Sequence, residues 1–154
     1  MTARALVMLL LATLALACGG KKPPPATPAA SDKIEVEIVV RSTRETNDGR
    51  PLHAVVRAVD QETYVADSYA QVANLVTHKD ESVLATFVIF PGHEHRQTIE
   101  VGKKTPIAVY ALFTRPGKQW KKLLGHPTAT PVQIVLSRHN ITRQSKAPTP
   151  PAKR

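Results

Sequence analysis

The stretch Ile34-Glu35-Val36-Glu37-Ile38-Val39-Val40-Arg41 decides the fold class. Ile34, Val36, Ile38 and Val40 alternate with Glu35, Glu37 and Arg41. A period of two is the mark of a strand with one wet face and one buried face. The same kind of reading extends along the chain. Residues 53–59 form a second apolar strand with Arg57 inside it, and residues 82–90 form a third, stopped by Pro91-Gly92. Residues 96–101 are short and alternating, and Gly102-Lys103-Lys104 turns the chain round. Residues 106–113 are almost continuously apolar, as a strand buried on both faces requires. Residues 119–124 and 131–137 complete a set of seven strands. One interruption has the other period: Val65, Tyr69, Val72 and Val76 are spaced four, three and four apart, which predicts one helix over residues 64–76. Seven short strands with frequent turn signals and one helical insertion predict a mainly β fold, a two-sheet β-sandwich.

Outward from this core the composition changes. Residues 1–17 carry Arg4, an apolar run from Ala5 to Ala17 broken only by Thr13, and small residues before Cys18. That is the pattern of a secretory signal, too short for a comfortable transmembrane helix of about 20 apolar residues. Cys18 is the only cysteine, and its position resembles a bacterial lipobox, in which the thiol takes a diacylglyceryl group and becomes the new N-terminus. Ala15 and Leu16 depart from the commoner lipobox residues. Residues 18–32 then form a Pro-rich tether, spanning up to about 40 Å if extended as polyproline II. The folded domain is expected over residues 33–143, and residues 144–154 read as a disordered basic tail.

The net charge is +9. In a cytosolic protein that would raise nucleic acid as a partner. Export argues against it and leaves anionic lipid, peptidoglycan carboxylates or an acidic protein surface. No nucleophile elbow, phosphate loop or dinucleotide fingerprint is present, so the residues point to no enzyme and no cofactor. His93 and His95 could share one face of a strand, but a zinc site needs three or four ligands, so a solvated hairpin is the preferred reading and no metal is expected. Trp120 among Lys118, Lys121 and Lys122 could stack on a glycan or grip an anionic lipid. The plainer reading is a tryptophan closing a sandwich edge, with its lysines in solvent. Residues 42–52 are polar and charged, carry the turn signal Asn47-Asp48-Gly49, and are expected to be an exposed loop, longer than a hairpin needs.

Together these segments resemble a known family, the TssJ outer-membrane lipoproteins of the type VI secretion system. The resemblance runs over residues 34–142. It is carried by Asn47-Asp48-Gly49-Arg50-Pro51-Leu52 leading into Val55-Val56-Arg57, by Tyr64-Val65-Ala66-Asp67-Ser68-Tyr69, by Pro91-Gly92, and by residues 107–115 followed by Trp120-Lys121. Ala58 and Lys121 replace the family's usual tyrosine and arginine. The resemblance implies a transthyretin-like sandwich with a small helical insertion. It implies anchorage through acylated Cys18 in the outer membrane, with the domain facing the periplasm. It further implies docking of the periplasmic C-terminal region of the inner-membrane protein TssM through the loop between the first two strands, here with Arg44, Asn47, Asp48, Gly49, Arg50 and Pro51 as contacts. The alternative is a stand-alone periplasmic lipoprotein that binds a glycan or anionic lipid.

Overall fold

The computed structural model describes residues 32–126 and 131–146. The expected signal, Cys18, and the tether up to residue 31 lie outside the described residues, as does the tail from residue 147. Among the described residues, eight strands form two four-stranded sheets: β1 (Lys33–Ser42), β2 (Leu52–Ala58), β3 (Val83–Ile89), β4 (Glu94–Gly102), β5 (Ile107–Leu112), β6 (Lys121–Gly125), β7 (Val132–Leu136) and β8 (Ile141–Lys146). One sheet has the order β4-β1-β7-β8 and the other β3-β2-β5-β6. The expected mainly β, two-sheet sandwich with a helical insertion is what is found.

The alternation in β1 does what its spacing demands. Val36, Ile38 and Val40 point between the sheets, where they meet Leu52, Ala54 and Val56 of β2 and Ile107, Val109 and Ala111 of β5. Ile99, Ile134 and Leu136 complete the same core. The opposite face of β1 and β4 carries an exposed charge ladder: Arg41 to Glu94 at 2.7 Å, Glu94 to Arg96 at 2.7 Å and Arg96 to Glu37 at 3.0 Å. Such surface pairs contribute little each.

The outer face of the second sheet is covered instead. Val55, Ala108 and Tyr110 pack there with Val59 and Val72, forming a second, smaller core. This explains why β5 is apolar at nearly every position: it has a core on each side.

The covering insertion differs from the single expected helix. It is two short helices, α1 (Gln61–Ala66) and α2 (Tyr69–Asn74). Val65, expected on the buried stripe, is 70% exposed. The break falls at Asp67-Ser68, and two local causes are visible. Ser68 and Gln71 form a capping box that starts α2 afresh. The Asp67 carboxylate is drawn beneath the insertion, where both its oxygens accept from Arg57 Nη1 at 2.7 Å and Oδ2 accepts from the Tyr110 hydroxyl at 2.5 Å. Arg57 also donates from Nε to Ser82 Oγ at 2.9 Å. Burial and the neighbouring carboxylate push the Tyr110 hydroxyl pKa well above its ordinary value, so it stays a donor. Periodicity reports the spacing of apolar residues, not the pull of a buried ion pair.

Two further differences concern the edges. β8 is an eighth strand that the polar sequence after residue 139 does not announce. It runs to Lys146, past the expected domain limit at 143, and pairs antiparallel with β7. Lys121, expected in solvent, instead turns its Nζ toward the carbonyls of Tyr64, Val65 and Asp67 at 2.5, 3.2 and 2.8 Å. It closes the C-terminal end of α1, where a cation is favoured.

Candidate functional site

The topology gathers one end of the sandwich. The β1–β2, β3–β4, β5–β6 and β7–β8 connections all lie there, because β1, β3, β5 and β7 run in one direction and their partners return. Main-chain bonds join these connections. Ser42 N donates to His93 O at 3.3 Å, Gly92 N to Thr43 O at 3.0 Å, Asn47 N to Arg138 O at 2.8 Å and Gly117 N to His139 O at 2.8 Å. β1 starts at the opposite end, where Lys103 N, in the β4–β5 turn, donates to Asp32 O at 2.9 Å. The described domain therefore begins at one end, and residues 42–52 emerge at the other. The ten residues of β1 separate them by about 30 Å.

The loop is less exposed than its composition predicts. Thr46 and Asn47 are buried. Asn47, Asp48 and Gly49 take positive φ angles of 53°, 55° and 76°. Asn, Asp and Gly are the residues that tolerate this left-handed region, so the turn signal is realised in an unusual local form. Asn47 Nδ2 donates to the carbonyls of Arg50 at 3.2 Å and Pro51 at 3.1 Å, while its Oδ1 accepts from Thr114 N at 2.6 Å. The Thr46 hydroxyl donates to Leu136 O at 3.2 Å. These inward bonds satisfy the turn's polar groups, and they make Asn47 a staple of the loop.

Asp48 sits just outside this staple. Its carboxylate meets Arg115 Nη2 at 2.5 Å, Arg138 Nε at 3.2 Å and His139 Nε2 at 3.1 Å. The Arg115 hydrogen bond, helped by His139, holds its pKa down from 3.8 to about 2. Arg44, Gly49, Arg50 and Pro51 are exposed. The six expected contact residues thus divide: four face outward, Asp48 organises cations from two other connections, and Asn47 faces inward. Nothing in the sequence links Arg115, Arg138 and His139 to Asp48, because only the fold brings them together.

The other candidates are engaged elsewhere. His95 stacks on Phe87 with centroids 4.3 Å apart and an 11° angle, while His93 is exposed just before β4. Among the described residues no group of three or more His, Cys, Asp or Glu could hold a metal ion. The Trp120 ring lies edge-on to Tyr69 at 5.0 Å and 5.8 Å from Tyr110, packed against both cores. Beside it a cleft of about 400 Å³ is lined by Tyr64, Lys118, Gln119 and Lys122 among others. No helix among the described residues is long and apolar enough to cross a membrane.

Comparison with known proteins places this architecture. The family model described as IglE, N-terminal domain, matches residues 53–136, more than half of the chain. The chain belongs to the IglE N-terminal-domain family. This is a family of type VI secretion lipoproteins, as the resemblance to TssJ implied. The matched segment begins at β2, so residues 42–52 of this IglE-family chain lie just before it. Its fold is that of the type VI secretion lipoprotein TssJ1 from Pseudomonas aeruginosa, with a TM-score of 0.58 at 19% identity over 75% of this chain and 98% of that one. Lip of Serratia marcescens, described as a membrane-bound component of the type VI secretion system, matches with a TM-score of 0.56 at 18% identity, over 73% and 98%. A chain of a structure described as the TssM C-terminal domain from EAEC matches with a TM-score of 0.55 at 16% identity, over 75% and 98%. A comparison with curated proteins returns no significant match.

Proposed function

We propose that this chain is the lipoprotein subunit of a type VI secretion membrane complex. Acylated Cys18 holds it in the outer membrane, and the sandwich faces the periplasm. Its role is non-enzymatic: it docks the periplasmic C-terminal region of TssM through the loop at residues 42–52. Family membership supports the system, and structures described as TssM and as a type VI membrane complex contain chains of this fold. The observation that carries the docking reading is the polarity of the domain. The chain enters at one end, and the stapled loop, with Arg44 and Arg50 exposed, stands at the far end. A loop braced by buried side chains binds with little ordering cost, because its shape exists before the partner arrives.

The alternative, a glycan or lipid gripped by Trp120, loses its aromatic platform, since that ring is spent on packing. Arg44→Glu with Arg50→Glu tests the docking reading. Both side chains are exposed, so the double variant keeps the wild-type melting temperature. It no longer co-purifies with TssM from detergent-solubilised envelopes. Co-purification at the wild-type yield would reject the loop as the dock.

A further inference from the structure

Phe90 is a large apolar side chain left 59% exposed. It sits at the tip of the β3–β4 connection, against the loop already described, and Val88 beside it on β3 is also exposed. The main chain under Phe90 is held fast. Its carbonyl accepts from Ser42 Oγ at 3.0 Å and from His93 N at 3.2 Å. Two residues on, Gly92 has φ +80°, and a Cβ there would come within 3.1 Å of Arg44 Cγ. The Arg44 stem therefore lies over the turn that displays Phe90, and glycine takes the positive φ there without strain while leaving that stem in place.

At this end of the sandwich the exposed charge is mainly positive. Arg44, Arg50, Arg115 and Arg138 are exposed at this end, with Arg115 showing 73% of its side chain. The acids at this end are Asp48, already occupied by Arg115, Arg138 and His139, Glu94, already paired with Arg41 and Arg96, and the exposed Glu45. A guanidinium carries five donors, and binding one carboxylate orients it without exhausting it.

We propose that the dock is a composite surface in which Phe90 is the aromatic anchor and Arg44, Arg50, Arg115 and Arg138 form a cationic rim, fitting an acidic protein face with an apolar recess. The proposal rests on the docking reading above and deepens it. An exposed aromatic on a braced turn, at an end of the sandwich rich in arginine, has the composition of interface hot spots. The rim steers an acidic partner and suppresses basic ones.

The test is calorimetry of the acylated, mature chain in detergent with the purified periplasmic region of TssM from the same organism. Phe90→Ala weakens binding about tenfold or more while the melting temperature is unchanged. Wild-type affinity falls at least about fivefold between 50 and 300 mM salt, roughly the range over which screening closes to a few ångström. If Phe90→Ala binds like wild type while Arg44→Glu/Arg50→Glu does not, the composite surface is rejected and the loop reading stands. Affinity indifferent to salt rejects the acidic partner face. If neither variant weakens binding, the loop reading falls and takes this one with it.

Discussion

At the scale of single residues, Asn47 and Asp48 show how one turn serves two ends. Asn47 turns inward and, with its own main-chain N–H bonded to Arg138 O, ties together three connections. Asp48 turns outward and gathers two arginines and His139. Because Arg115 and His139 hold the Asp48 pKa below its unfolded value, its pairing adds stability that is complete above pH 3.8. That contribution is lost as pH falls toward about 2. The urea midpoints of wild type and Asp48→Asn should therefore differ at pH 5 and converge near pH 2. A gap that persists at the acid end would show that the charge is not the cause. Composition predicted an exposed loop here because Thr46, Asn47 and Asp48 are polar. What it missed is that polar side chains can be buried when the fold supplies main-chain partners, and those partners come from residues 114, 136 and 138, far off in sequence.

At the scale of elements, the insertion between β2 and β3 depends on a buried charge pair as much as on apolar contact. Arg57 and Asp67 have side chains only 8% and 9% exposed. Removing Asp67 leaves Arg57 only Ser82 and the more exposed Asp80, 3.7 Å away, and breaking such a pair costs about 3–5 kcal/mol. Asp67→Ala should lower the stability measured by urea unfolding by that amount. A loss below about 1 kcal/mol would mean that the pair is dispensable. The strands were legible because each carries its own signal: period two in β1, continuous apolar sequence in β5, and a Pro-Gly stop after β3. The helix was half legible. The apolar spacing located it, yet the break at Asp67-Ser68 follows from a contact with Arg57 across the sheet surface. β8 was not legible at all, since Ile141 is its only strongly apolar residue and its pairing with β7 supplies what its composition lacks.

At the scale of the whole molecule, the sandwich has two unlike ends. The family was legible from ordered fragments of weak motifs, and the sandwich from periodicity. The composite end was not, because it is assembled from four connections and Phe90 looks like an ordinary strand residue in the sequence. If acylation of Cys18 is the anchor, Cys18→Ser should move the protein from the membrane fraction to the soluble periplasm. Retention in the membrane would reject that anchorage. The central claim is that the end distal to the tether is the dock, and hydrogen exchange with and without the periplasmic region of TssM reads this directly. The account predicts slowed exchange at main-chain amides of residues 43–50, 90, 92–93, 114–115, 117–119 and 138–140, with β6 and α1 unchanged. Protection confined to α1 or the β6 edge would contradict it.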